Sequence, residues 1–92
     1  MKENKIIVTV LGSDKVGIIA TITRILADSK ANILDISQTI LHEYFTMIMV
    51  VDISNSTVDF ADLRNQLVSV GEKMGVQVNA QKSEVFDYMH RI

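Results

Sequence analysis

Two kinds of apolar periodicity alternate along the 92 residues, and the switches between them mark out the elements. From Lys5 to Leu11 both alternating sets are apolar or β-branched, Ile6, Val8 and Val10 on one and Ile7, Thr9 and Leu11 on the other. Such a run predicts a central strand covered on both faces. Gly12, Ser13 and Asp14 interrupt it, and Ile18, Ile22, Ile25 and Leu26 then recur at helical spacing. A first helix is expected from about Lys15 to Ser29, with Asp14 as its N-cap. Alternation returns from Asn32 to Leu41, where Leu34, Ile36 and Ile40 oppose Asp35, Ser37 and Thr39. A tight link near His42 and Glu43 leads into the apolar run Phe45 to Ile53, and the pair reads as an antiparallel hairpin, although no Asn-Gly turn joins it.

Asn55, Ser56 and Thr57 are turn and cap residues, and Asp59 and Asp62 fall in the first turn of a second helix, where the positive dipole end favours them. Phe60, Leu63, Leu67, Val70 and Met74 form its apolar stripe, and Gly75 its stop. Val76, Val78 and Ala80 alternate with Gln77, Asn79 and Gln81 in a last, half-polar strand, after which Ser83 is placed to cap a short helix through Met89.

The order β-α-β-β-α-β with a helical tail predicts an α+β ferredoxin-like sandwich, a four-stranded antiparallel sheet with two helices on one face. One domain is expected over residues 1–92, with its core at about 5–83 and a C-terminal helical tail at about 84–92. If the first and third strands lie in the middle, one of their apolar sets has no helix over it. An exposed patch of that kind marks an interface, and a second copy is its simplest cover.

Composition narrows the function. The net charge of −2 and pI near 5.5 give no positive field for phosphates or anionic lipids, so neither nucleic acid nor a membrane surface is expected as a partner. The absence of cysteine removes disulfides, thiolate metal sites and cysteine nucleophiles together. His42 and His90 have no third ligand at metal spacing and read as surface residues, so no metal is assigned. Phe45, Met47 and Met49 read as core or interface rather than a cofactor pocket, and Val85, Phe86, Met89 and Ile92 as tail residues that pack on this or a neighbouring subunit. The opening residues Met1, Lys2, Glu3 and Asn4 lead into an apolar run too short for a signal core or a span, so a cytoplasmic location is expected.

The most informative stretch is Gly12, Ser13, Asp14, Lys15, Val16, Gly17, Ile18 and Ile19, followed at a helix's distance by Ala31, Asn32, Ile33, Leu34, Asp35 and Ile36. Here the sequence resembles the ACT family, whose pattern is an aspartate and glycine loop after the first strand, an aliphatic helix, and an asparagine with aliphatic partners opening the second strand. The resemblance covers nearly the whole chain. It is strongest to stand-alone ACT proteins related to the regulator of the glycine cleavage system, which share the ILDISQTI-like strand and the MHRI-like end. One departure is that ACT loops often read aspartate, arginine, proline, glycine, whereas the middle pair here is Lys15 and Val16.

The resemblance implies a regulatory module that binds a small molecule, with an amino acid the expected ligand, where this loop meets the start of the second strand of a neighbouring copy. The implied ligand-binding set is Gly12, Ser13, Asp14, Lys15, Val16, Gly17 and Ile18 from the loop, with Asn32 and Ile33 from the strand. A dimer is the expected assembly, and a separate partner protein the expected target of regulation. Bland roles stand beside these. Asp14 is first an N-cap and then a ligand contact, Asn32 can satisfy turn backbone groups, and Gly17 sits in the first helical turn, where alanine would be better by up to about 1 kcal/mol. Neither catalysis nor a cofactor is expected: an acylphosphatase-like reaction needs an arginine cradle where the loop has only Lys15, and an RNA-binding sheet needs stacking aromatics where it has only Phe45. The alternative function is a ligand-free assembly or protein-interaction module.

Overall fold

Ile6, Val8 and Val10 are at most 1% exposed, whereas Leu11 on the opposite set of the same strand is 45% exposed. That asymmetry organises the fold. The computed structural model describes residues 4–13 and 17–83. Asp14, Lys15 and Val16 of the loop, His90, and the expected tail helix lie outside those residues.

The elements are β1 (Lys5–Gly12), α1 (Ile18–Asp28), β2 (Asn32–Leu41), β3 (Tyr44–Asp52), α2 (Phe60–Met74) and β4 (Gln77–Lys82). The sheet order is β2-β3-β1-β4, antiparallel throughout, as the ferredoxin-like architecture requires. The helix-side face of the sheet brings Ile6, Val8 and Val10 of β1 against Val51, Met49 and Met47 of β3, and Ile22 and Leu26 of α1 with Leu63 and Leu67 of α2 complete one core. Each of these side chains is essentially removed from water, worth about 1.5–3 kcal/mol apiece in transfer free energy. The other face carries Ile7, Thr9 and Leu11 opposite Val50, Ile48 and Thr46, and no described helix lies on it. The expectation of a strand covered on both faces therefore holds fully for one set and only at Ile7, 7% exposed, on the other, because both helices sit on the same side.

α1 starts at Ile18, about three residues later than its periodicity suggested. Gly17 has φ 84°, a left-handed conformation that ends rather than continues a helix, so it is the N-cap and not a first-turn position. The N-cap of α2 is Asp59 itself, whose Oδ1 accepts from the Asp62 N–H at 2.9 Å, rather than a residue of the Asn55–Thr57 turn. α1 closes with two bonds, Ala31 N–H to Leu26 O at 2.9 Å and Lys30 N–H to Ala27 O at 3.0 Å, around Lys30 at φ 62°. α2 closes in the same way on Gly75, as read from the sequence.

β2 departs from simple alternation. Ile33 pairs with Val51 and Asp35 with Val50, so Leu34 between them is an extra, unpaired residue. This bulge puts Leu34 out of the set that Ile36 and Ile40 occupy, and all three are exposed. The hairpin turn is the two-residue link His42–Glu43, with His42 at φ 58°, the positive φ that primed turns require at their first central position.

Candidate functional site

The described residues of the implied ligand set fall into two groups at opposite ends of the sheet. Gly12 ends β1 in register with Phe45, which in turn pairs with Ile40 near the end of β2. Asn32 opens β2 in register with Asp52, which pairs with Lys5 at the start of β1. Seven residue steps of strand separate the two rows, about 23 Å. Gly12, Ser13, Gly17 and Ile18 are thus together, Asn32 and Ile33 are together, and one chain does not bring the two groups into one site.

The loop end is shaped by absences of side chain. Gly12 lies on the helix-side face, and a Cβ there would run into Val76 Cγ1 and sit 3.0 Å from Val76 Cβ. The missing methyl lets the chain leaving α2 cross close over the end of β1. Gly17 is different: among the described residues a Cβ there would meet nothing nearer than Met74 Cε at 3.9 Å, whereas its backbone conformation itself demands the glycine. Ile18, 2% exposed, anchors the first turn of α1 in the core directly beside this open position. The Gly17 carbonyl accepts from both the Thr21 N–H at 2.9 Å and Thr21 Oγ1 at 2.7 Å.

The N-terminus of α1 contrasts with that of α2. A glycine cap offers no side chain to the first N–H groups, and the first turn of α1 holds no acidic residue, whereas α2 has both the Asp59 cap and Asp62. The N–H groups of a first helical turn point outward and carry partial positive charge, so an end left this way suits a carboxylate without any basic side chain. At the other end, Asn32 is exposed on the face away from the helices, in one row with Asp52 and Lys5, while Ile33 turns towards the core and is half-buried. An asparagine amide both donates and accepts. The Asp52 carboxyl is held below its ordinary value by the Ser54 hydroxyl, 2.7 Å from Oδ1, and the Ser54 N–H, at 2.9 Å.

Met74 and Val76, which border the loop end, come from the far end of α2 and from the link after it; periodicity marks them as apolar positions, but nothing local connects them to the loop. Val76 also lines a groove of about 290 Å³ between α2 and β4, with Val68, Glu72, Gln77, Val78 and Asn79. None of the implied ligand residues among those described lines it. No helix among the described residues is long and apolar enough to cross a membrane.

Comparison with known proteins agrees with this fold. The family model for the ACT domain matches residues 4–81. A UPF0237 protein of Methanocaldococcus jannaschii is 54% identical over 89 residues, 97% of this chain and 99% of that protein. Among solved structures, an ACT domain protein from Streptococcus pneumoniae superposes with a TM-score of 0.79 at 43% identity, over 94% of this chain and 97% of that one. A putative glycine cleavage system transcriptional repressor shares the fold at a TM-score of 0.76 and 20% identity; this chain covers 47% of its length. The βαββαβ sheet and these matches lead to one conclusion: the chain belongs to the ACT domain family, whose members are regulatory ligand-binding modules.

Proposed function

We propose that this protein is a cytoplasmic sensor of an amino acid, which binds the ligand at the junction between two copies and passes the change to a separate partner protein without catalysing a reaction. The observation that carries the proposal is the separation of the two ligand groups, since the loop of one chain meets the β2 start of another only across an interface. Antiparallel pairing of two β2 edges does this. It sets Asn32 of one copy beside the Leu41 end of its partner, and that end shares its sheet row with the partner's loop. The edge is suited to pairing, with nine of its ten residues exposed, among them Leu34, Ile36, Ile40 and Leu41.

In this arrangement the ligand carboxylate takes N–H groups of the first turn of α1, and the strand start of the other copy supplies the amide that discriminates the rest of the molecule. Regulation follows if the ligand favours one assembly or conformation over another, since it shifts function only through different affinity for two states.

The test is thermal unfolding in the presence of each amino acid in turn. A ligand at about 100 times its dissociation constant adds about 2.7 kcal/mol of stability and raises the transition. If all twenty leave the transition unmoved at millimolar concentration, the β2 edge becomes the interface of a ligand-free assembly module.

A further inference from the structure

The β2 edge carries the same kinds of side chain in both directions from Gln38. Ser37 and Thr39 lie one step away, Ile36 and Ile40 two steps away, and all of them are exposed. The register with β3 places Ile36, Gln38 and Ile40 opposite Met49, Met47 and Phe45 on the helix-side face, and Ser37 and Thr39 opposite Ile48 and Thr46 on the open face. The symmetric stretch is also bounded symmetrically. The Leu34 bulge interrupts regular pairing at one end and the turn at His42 ends it at the other, so the regular edge runs from Asp35 to Leu41, and Gln38 is its midpoint.

We infer that two copies pair their β2 edges antiparallel about a twofold axis beside Gln38. This rests on the edge pairing proposed above and assigns its register. A twofold axis perpendicular to the sheet keeps every side chain on its own face and joins the two four-stranded sheets into one. Centred on Gln38, it sets Ile36 against the partner's Ile40 on the helix-side face, Ser37 against the partner's Thr39 on the open face, and the two Gln38 amides against each other. Ile36 and Ile40, 40% and 63% exposed in the single chain, then lose water together, the hydroxyls meet as a hydrogen-bonding pair, and each amide can both donate and accept. Other centres do worse. At Ser37 the axis pairs Ile36 with Gln38 and leaves Ile40 opposite the Leu34 bulge; at Thr39 it pairs Ile40 with Gln38 and Ile36 with the turn residue His42. At Asp35 it opposes two carboxylates, which is destabilising. The centre at Gln38 alone uses the whole regular run from Asp35 to Leu41.

The chain has no cysteine, so single-cysteine variants of the full chain read one position each by disulfide formation under mild oxidation. Directly opposed Cα atoms of an antiparallel pair are about 4.5–5.5 Å apart and within disulfide reach, whereas a residue one step off the centre lies about 8 Å from its own copy and beyond it. Gln38→Cys is therefore expected to link to itself about tenfold faster than Ile36→Cys, Ser37→Cys, Thr39→Cys or Ile40→Cys does. Mixing Ile36→Cys with Ile40→Cys, and Ser37→Cys with Thr39→Cys, should give mixed dimers ahead of like ones. Opposed pairs alternate between close and wide spacing, and the two mixtures sample both kinds. The mixtures retain Gln38 and decide alone should Gln38→Cys fail to fold. Fastest self-linking at any other of these positions would overturn the register while leaving the pairing of the edges. Equally slow linking at all of them, alone and mixed, would overturn the edge pairing itself and the shared site with it.

Discussion

The side chain of Val76 stands where Gly12 would carry a Cβ, so the end of β1 and the link from α2 to β4 are fitted to one another across 64 positions of sequence. Valine is stiff at χ1 and cannot swing aside. Gly12→Ala is expected to cost about 1–3 kcal/mol through overpacking. Val76→Ala in the same chain should restore much of that loss, because it vacates the contested space. Urea unfolding of the two single variants and the double variant measures the coupling; independent, additive losses would show that the contact is not what constrains Gly12.

Gly17 makes the opposite demand. Among the described residues nothing crowds it but φ is 84°, so Gly17→Ala should destabilise the fold by about 1–2 kcal/mol through left-handed strain. A conventional helix position would gain stability from the same change. Comparing denaturant midpoints of Gly17→Ala and the parent decides the sign.

Lys30 occupies in α1 the closing position that Gly75 occupies in α2, at φ 62° against 78°. Lys30→Gly relieves the side-chain penalty and should raise stability by up to about 1 kcal/mol, partly offset by the greater freedom of glycine in the unfolded chain. A rise in melting temperature checks this, and a fall would mean that the lysine side chain has a stabilising role of its own.

The Asp52 carboxyl is held below its ordinary value of 3.8, first by the Ser54 hydroxyl, then by the Ser54 N–H, with Lys5 adding a smaller pull and desolvation opposing them. A depressed folded-state pKa means that ionised Asp52 favours the fold above the unfolded value, and that this contribution disappears as pH falls through the folded one. Asp52→Asn should therefore be less stable than the parent near neutrality, and the gap should close in acid. Urea midpoints across the pH range would show it; a gap that stays constant would detach the effect from ionisation.

Ile40, 63% exposed on the β2 edge, is the natural place to block edge pairing. Ile40→Lys should leave the core intact and yield a monomer by sedimentation at concentrations where the parent self-associates. A parent that is monomeric throughout the micromolar range would remove the shared site as well.

Most of the architecture was legible because its signals are local and repeated. The strands β1 and β3, the stripe Leu63–Leu67 of α2 and the Gly75 stop each follow from spacing that a few residues express. What was not legible depends on partners far away in sequence or on a single dihedral angle. Gly17 looks like an ordinary helix glycine until its φ is known, so the start of α1 was read early. Leu34 looks like one more step of an alternation, and only its failure to pair with β3 reveals the bulge. Gly12 was singled out by motif, but the reason for it is Val76, which no local pattern connects to it. The candidate site was legible as two motifs, while their placement at opposite ends of the sheet required the strand register.

If the proposed junction between two copies forms, that placement also sets a stoichiometry. A twofold pairing of two chains joins each loop to the other's strand start, so two junctions are completed together and none exists in the single chain. On the proposed reading, ligand uptake would be inseparable from protein concentration: one amino acid per chain at saturation, with half-saturation moving to higher ligand as the protein is diluted. A module built on the proposed junction would thus report its own abundance and that of its ligand in a single measurement.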